Sequence, residues 1–293
     1  MKIVENKKYF FIISALIILT GALFTLVQGV ELGIDFTGGT EIEVDMEQYV
    51  ETSNIRETVD YYDPAASINH IGGDRHNIVI RTSEDLSSEQ RRDLFNELQE
   101  EYSLSTDQPL RVDQFGPTIG QEIQQRALLS ILISALGMLI YITFRFELSY
   151  GIASLTALLH DILILLSVYA ILNIPINNPF IAAVLTILGY SINDSIVVFD
   201  RVRENMPFLR KNNYTELGNT SISQTLKRSI ITSITTLLTI IALYILGVEQ
   251  IRTFALPLIA GILSGTYSSI FIATPVWVMI KEKQVAKKSY KGA

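Results

Sequence analysis

An aspartate lies inside an apolar stretch of the chain that has the length of a membrane helix. Asp194 falls within residues 179–200, which read PFIAAVLTILGYSINDSIVVFD. A charged carboxylate at the centre of a membrane helix costs roughly 2.5 to 3.5 kcal/mol on insertion scales, so such residues are rare and usually functional. Ser191, Asn193 and Ser195 accompany it and predict a polar inner stripe on this helix.

Arg228 is the predicted partner of this acid. It ends the basic stretch 201–228, whose last residues can form a helix that continues into the next apolar segment. A continuous helix would bring Arg228 near the depth of Asp194. Burial favours the neutral form of a carboxyl and a nearby cation favours the charged form, so an acid in this position can load and release protons. If the site opens to each side of the membrane in turn, each proton supplies about 2.3 kcal/mol per 100 mV.

A second pair of ionisable residues, His160 and Asp161, lies in the preceding apolar segment. The two side chains are about 100° apart around a helix. Hydrogen bonding between helices is the simpler interpretation, and a proton relay is the alternative. Counted from the predicted cytoplasmic ends, Asp161 is about 12 residues deep and Asp194 about 6, a difference in depth of about 9 Å at ~1.5 Å per residue.

Six apolar segments are each long enough to cross about 30 Å of hydrocarbon. They are residues 9–28, 127–144, 149–172, 179–200, 229–247 and 255–280. Hydrophobic residues make up 48% of the 293-residue chain, which is too apolar for an ordinary soluble domain. The chain is therefore predicted to be an integral membrane protein built on an all-α bundle of six transmembrane helices.

The last two apolar segments are rich in hydroxyl and small residues. The fifth contains Ser229, Thr232, Ser233, Thr235, Thr236 and Thr239. These hydroxyls can bond backbone carbonyls or line a hydrated path, and the two interpretations are equally weighted. In the sixth, Gly261 and Gly265 form a GxxxG face beside a row that includes Ser264 and Ser268, which predicts close helix packing. Pro275 predicts a kink near its far end.

Charge is divided sharply along the chain. Residues 31–126 contain 21 acidic and 7 basic residues, whereas the rest of the chain contains 9 acidic and 16 basic residues. Fifteen of those 16 bases fall in short loops or tails on one predicted side, and only Arg252 falls on the other. The positive-inside rule therefore predicts cytoplasmic termini and an acidic segment outside.

Four segments are predicted on this basis. They are a cytoplasmic N-terminus with the first helix (1–30), an extracytoplasmic domain (31–126), a five-helix transmembrane region (127–280) and a basic cytoplasmic tail (281–293). The first span is long for the apolar core of a signal peptide and lacks an Ala-x-Ala-like cleavage site, so it is predicted to stay as an anchor. The chain has no cysteine, which excludes disulfides and thiolate metal sites, and no metal or cofactor is expected.

The acidic segment has the pattern of a small α+β domain that follows a glycine-rich link. Predicted strands cover residues 40–46, 66–71, 76–82 and 109–115, and predicted helices cover 54–62 and a segment ending at 102. Ser87 or Ser88 can cap the second helix, with Gln90 completing a capping box with Ser87. A turn is predicted at 72–74. The order strand, helix, strand, strand, helix, strand is that of an external ferredoxin-like domain between the first and second spans. The glycines of the link lack the spacing and lysine of a phosphate loop, so they are assigned to turns and packing.

Motifs along nearly the whole chain carry a family resemblance. They are GIDFTGGT at 33–40, FGP at 115–117, HD at 160–161, GYSINDS at 189–195, DR at 200–201 and the segment 219–228 that ends in arginine. In this order they resemble the SecF family of protein-export membrane subunits of the Sec translocase. That family is grouped with SecD and is related to the larger RND superfamily.

The resemblance implies a function that composition and spacing do not identify. SecF proteins pair with SecD, and together they are thought to use the proton gradient to help pull preproteins out of the SecYEG channel after the SecA motor has acted. The resemblance places the proton-carrying aspartate at Asp194 and its arginine at Arg228. It implies a proton-driven transport subunit rather than an enzyme, in the plasma (inner) membrane of a prokaryote. The expected partners are SecD, the channel, the preprotein, the lipid bilayer and protons, with no nucleic acid.

Three alternatives fit parts of the same pattern. A proton-coupled RND-type exporter of small molecules or lipids would share the membrane acid but would need a substrate pocket. A passive membrane scaffold would use Asp194 only to hold helices together. An intramembrane aspartyl protease would need two paired carboxylates, and the predicted difference in depth between Asp161 and Asp194 argues against it.

Overall fold

A computed structural model describes residues 2–71, 75–208 and 213–291. Its elements in chain order are α1 Lys7–Gln28, α2 Ile34–Thr37, β1 Gly39–Asp45, α3 Thr52–Val59, β2 Ser67–Ile71, β3 Asn77–Thr82, α4 Ser88–Tyr102, β4 Arg111–Phe115, α5 Pro117–Arg145, α6 Leu148–Leu172, α7 Asn178–Asn205, α8 Tyr214–Leu246, α9 Glu249–Ser268 and α10 Thr274–Lys291. The predicted turn at 72–74 lies outside the described residues, as do part of the loop between α7 and α8 and the end of the basic tail.

The chain divides into two compact units. One unit, here called the helical unit, consists of Met1–Glu31 and Leu129–Ala293. The other, here called the sheet domain, is Leu32–Leu128. The sheet domain therefore forms between the first and second long helices of the chain.

The sheet domain has the predicted order of strands and helices, with one short helix added. Its four strands form a single antiparallel sheet in the order β2-β3-β1-β4, and β1 pairs with both β3 and β4. Ile42 and Val44 of β1 are at most 1% exposed, as the alternation of apolar and acidic residues predicts. The capping box at the start of α4 is confirmed, because Ser87 accepts a hydrogen bond from the Gln90 backbone and Gln90 bonds back to the Ser87 backbone.

The glycine-rich link before β1 is more ordered than the sequence predicts. It contains one turn of helix, α2, which Gly38 ends with a φ of 77°. Gly39 then starts β1 with a φ of 115°, where a Cβ would lie 2.0 Å from the backbone oxygen of Thr82. Glycine is needed at this position because the backbone is strained for other residues and a neighbouring strand approaches closely.

Six helical segments among the described residues are long and apolar enough to cross a membrane. They are Lys7–Gln28, Pro117–Arg145, Leu148–Leu172, Asn178–Phe208, Tyr214–Leu246 and Ile251–Lys287. All six predicted segments are therefore helical, and most of the helices run beyond the predicted bounds. In the most apolar stretch of the last segment 61% of the residues are buried, against 6% in that of α5. The centre of the helical unit is thus built by α6, α7 and α9–α10, while α5 presents most of its surface outward.

Two features of the helical unit bear on the predictions for the last two apolar segments. Helix α8 runs without interruption from Tyr214 through Arg228 to Leu246, so the predicted continuous helix is confirmed. Between α9 and α10, residues Ser269–Ala273 form a π-helical turn just before Pro275. A proline lacks the N–H for the helical ladder, and the π turn accommodates that break at the place where the sequence predicts a kink.

The N-terminal residues dock on the start of α8 rather than extending freely. The Asn219 side-chain oxygen accepts hydrogen bonds from the backbone N–H groups of Ile3 and Val4, at 2.9 and 3.0 Å. Its amide nitrogen donates to Glu5 at 2.7 Å and thereby holds the pKa of the Glu5 carboxyl below its ordinary value. Val4 is fully buried. One side chain thus ties the beginning of the chain to the helix that carries Arg228.

Candidate functional site

Asp194 is buried on the side of α7 that faces α8. The residue is 3% exposed, and its Oδ2 atom is buried and accepts no hydrogen bond in the part of the chain that the structure describes. The groups that act on it electrostatically are the Arg228 guanidinium and the Ser233 hydroxyl, both on α8. A buried carboxylate oxygen without a donor is costly to keep charged, since it has lost its water and gained little in return.

Asp161 has the opposite surroundings although it is equally buried. The residue is 1% exposed. Its Oδ1 accepts a hydrogen bond from Ser264 at 2.6 Å and lies 3.1 Å from His160 Nδ1. Its Oδ2 accepts from Ser191 at 2.6 Å and from Ser268 at 2.8 Å. Four groups therefore surround one carboxylate, and they come from α6, α7 and α9.

His160 extends this cluster to α1. Its Nε2 lies 2.8 Å from the Ser14 hydroxyl, and its ring stacks on Tyr267 with centroids 5.8 Å apart. Tyr267 in turn donates a hydrogen bond to the Phe10 carbonyl at 2.9 Å. The chain from hydroxyl to imidazole to carboxylate has the order of a hydrolase triad, but Asp161 here also accepts three serine hydroxyls. The interpretation that His160 and Asp161 bond helices together accounts for all of these contacts.

The two membrane acids lie closer in depth than the sequence predicts. Ser191 touches Asp161 directly and so marks its level on α7. Asp194 follows Ser191 by three residues, about 4.5 Å along the axis. The predicted difference of about 9 Å is too large, because α7 continues to Asn205, past its predicted end at 200, whereas α6 begins at Leu148, almost where predicted. The carboxylate oxygens of Asp161 are occupied by serine and histidine donors, which does not fit a protease dyad.

The predicted inner stripe on α7 is only partly present. Ser191 and Ser195 are each 1% exposed and face the interior with Asp194. Asn193 is exposed, so its assignment to the inner stripe is wrong. Successive residues of a helix point about 100° apart, and Asn193 is therefore turned outward when Asp194 is turned inward.

The glycines of the last span lie where α9 packs on α7. A Cβ added at Gly261 would be 2.0 Å from the Ile187 side chain, and one added at Gly265 would be 3.1 Å from the Ser191 Cβ. Small residues allow two membrane helices to approach closely in this way. The two glycines therefore set the separation of α7 and α9 at the level of Ser191.

The hydroxyl residues of α8 bond mainly to their own helix. Ser233, Thr235, Thr236 and Thr239 each donate to the backbone carbonyl four residues earlier. Two contacts between hydroxyls reach other helices: Ser233 with Thr266 at 2.5 Å, and Thr236 with Tyr190 at 3.1 Å. These bonds favour the packing interpretation of the hydroxyls over the hydrated path.

The main feature that sequence reasoning missed is the set of donors around Asp161. Ser264 and Ser268 are predicted only as small residues for packing, and Ser14 is not singled out at all. The available signal is spacing: two serines at i and i+4 share one helix face, and a buried acid requires donors. A row of serines on one membrane helix therefore predicts donors for an acid buried on a neighbouring helix.

Comparison with known proteins places the chain in a family. Residues 96–283 match the family model described as protein export membrane protein SecD/SecF, C-terminal, and residues 23–50 match the SecD/SecF GG motif. The chain belongs to the SecD/SecF family of protein-export membrane proteins.

Individual relatives are similar over all or nearly all of the chain. Protein translocase subunit SecF of Sebaldella termitidis is 35% identical over 301 residues, which cover 100% of this chain and 96% of that protein. Protein translocase subunit SecDF of Thermus thermophilus is 38% identical over 270 residues, 90% of this chain and 36% of that longer protein. The crystal structure of SecDF from that organism, a translocon-associated membrane protein, superposes with a TM-score of 0.86 and 37% identity, over 96% of this chain and 39% of the other.

Proposed function

We propose that this chain is an accessory subunit of the Sec protein translocase that works beside a SecD partner and uses the proton gradient to promote late preprotein translocation. The observation that carries the proposal is Asp194, a buried carboxyl with an oxygen atom that has no donor among the described residues. The names and full-length similarity of the relatives support the translocase setting.

The proposed mechanism rests on two opposing influences on the Asp194 carboxyl. Arg228 favours its charged form, and burial favours its neutral form. Loading a proton would release α8 from this attraction, and losing the proton would restore it. One proton that crosses the membrane supplies about 2.3 kcal/mol per 100 mV, which is comparable to the free energy of a modest helix rearrangement.

The sheet domain is the proposed contact with the preprotein. We place it on the outer side of the plasma membrane, with both termini cytoplasmic, because of the distribution of Lys and Arg in the short loops. Its strand order and antiparallel pairing support a ferredoxin-like assignment. The SecYEG channel and the SecA motor are the proposed machinery beside which it acts.

A surface of α7 supports a partner that also spans the membrane. Ala182, Thr186, Gly189 and Asn193 are exposed and follow the i, i+4, i+7, i+11 spacing of one helix face. A Cβ added at Gly189 would meet nothing within 4 Å. Small and polar residues on an outward membrane face are typical of helix association, and an exposed amide is unfavourable in lipid alone. This face fits a SecD-type subunit.

Replacing Gly189 by leucine is expected to weaken association with that partner without disturbing the fold of this chain. The added side chain would protrude from the α7 face and prevent a neighbouring helix from approaching closely. Co-purification of the two subunits in mild detergent measures the effect, and the yield of complex should fall severalfold. The matched control is Gly137→Leu on α5, which also has open space around it. Equal yields for the two variants would contradict the placement of the interface on α7.

Replacing Arg228 by alanine tests the coupling itself. We expect gradient-dependent stimulation of export to fall at least tenfold, because the cation that favours the charged form of Asp194 is removed. Arg228→Lys should retain part of the stimulation if charge alone matters. The measurement is preprotein export by vesicles with and without a proton gradient. Lys227→Ala removes a neighbouring exposed cation of the same helix and should have little effect. Full stimulation in Arg228→Ala would favour a passive scaffold.

A further inference from the structure

The structure assigns Asp161 a role that differs from that of Asp194. We propose that it is a positioning residue, whose hydrogen bond to Ser191 fixes the rotation of α7 about its axis and so turns Asp194 toward α8. This inference rests on the proposed function of Asp194 as the proton-carrying group.

The contacts of Asp161 occupy both of its carboxyl oxygens. Three serine hydroxyls donate to Asp161, and His160 Nδ1 occupies a fourth position. With Nδ1–H of His160 donating to Asp161, Nε2 accepts from Ser14. These four contacts hold Asp161 between α6, α7 and α9.

The bond to Ser191 transmits this arrangement to α7. Ser191 precedes Asp194 by three residues, so the two side chains are about 60° apart around the axis and one turn apart along it. When Ser191 is held toward Asp161, on the α6 and α9 side, Asp194 is turned toward α8. Gly265 lies directly against Ser191, so α9 leaves little room for the serine to turn away.

The contrast between the two acids shows the division of roles. Asp161 and Asp194 are 1% and 3% exposed, and both lie in apolar helices. Every acceptor position of Asp161 has a partner within the described chain, whereas Asp194 Oδ2 has none there. The first acid is therefore held in place by its neighbours, whereas one oxygen of the second is not held by any donor there.

Replacing Ser191 by alanine removes the α7 contact to Asp161 while leaving both acids in place. In vesicles that contain the full chain and its translocase partners, we expect the pH of half-maximal gradient-dependent stimulation to shift by about half a unit or more. A loss of folded protein would lower the maximum without moving this pH. The matched control is Ser154→Ala, because the Ser154 hydroxyl is buried on α6 and has no hydrogen bond within the described residues.

A cross-linking measurement reports the alignment of α7 and α8 without reference to export. The chain has no cysteine, and the Tyr190 hydroxyl lies 3.1 Å from the Thr236 hydroxyl. In a variant that carries Tyr190→Cys and Thr236→Cys, a short bifunctional thiol reagent should cross-link the two positions. We expect this reaction to become severalfold slower once Ser191→Ala is added. Ser154→Ala should leave the rate unchanged.

The outcomes separate this inference from the proposed function. If Ser191→Ala behaves like Ser154→Ala in both assays while Asp194→Asn abolishes stimulation, the positioning role is overturned and the proposed function stands. If Asp194→Asn leaves stimulation intact, the proposed function fails. In that case, slower cross-linking in Ser191→Ala still supports alignment by Asp161, and an unchanged rate overturns it.

Discussion

Replacing Asp194 by asparagine is expected to reduce gradient-dependent export to the level seen without a gradient. Asparagine has nearly the same shape but does not titrate, so it can neither load a proton nor release one. The fold should persist, because the change removes a buried charge whose Oδ2 has no hydrogen bond in the described chain, and a neutral amide is easier to bury. Preprotein export and proton flux by vesicles with and without an imposed gradient measure the effect.

Asp200→Asn is the matched control for this variant. Asp200 lies on the same helix but is paired with Arg203 at 3.1 Å, and its side chain is 40% exposed. Its Oδ1, like Asp194 Oδ2, is buried and accepts no hydrogen bond among the described residues, so Asp200→Asn removes a similar oxygen from the same helix. Loss of this partly exposed pair should change export little. Retained stimulation in Asp194→Asn would refute the coupling role, and loss of the SecD partner in that variant would favour a scaffold in which Asp194 holds helices together.

Replacing Gly39 by alanine is expected to destabilise the sheet domain by about 3 kcal/mol or more, from backbone strain together with overpacking. The φ of 115° is unfavourable for alanine, and the added Cβ would lie 2.0 Å from the Thr82 backbone oxygen. Because that oxygen belongs to the neighbouring strand β3, the clash is relieved only if β1 moves away from it. Hydrogen exchange of the β1 and β3 amides in the full-length protein should accelerate by about a hundredfold, which is the factor that ~3 kcal/mol corresponds to.

Gly116→Ala provides the comparison within the same domain. A Cβ at Gly116 would meet nothing within 4 Å, so alanine should be tolerated there with little change in exchange. If Gly39→Ala exchanges as slowly as Gly116→Ala, the close approach of β1 and β3 at Gly39 does not hold in the protein.

Much of the architecture is predictable from local sequence. The six membrane helices follow from runs of about 20 apolar residues, which must be helical to satisfy their backbone in lipid. The capping box at Ser87 and Gln90 and the continuity of α8 through Arg228 are likewise local, since each depends on residues a few positions apart. The cost of burying a charge is enough to single out Asp194.

The sequence by itself therefore determined which segments are long and apolar enough to cross a membrane, which acid is anomalous, and that Arg228 lies on a helix continuous with the fifth apolar segment. Only the tertiary structure decided that Asn193 faces outward and that Asp161 is held by Ser191, Ser264 and Ser268. The reason is that helix periodicity gives relative directions around one helix but not which neighbour each side faces. Donors 30 to 107 positions away from Asp161 become its partners only when α6, α7 and α9 pack together, and that packing gives the two buried acids different surroundings.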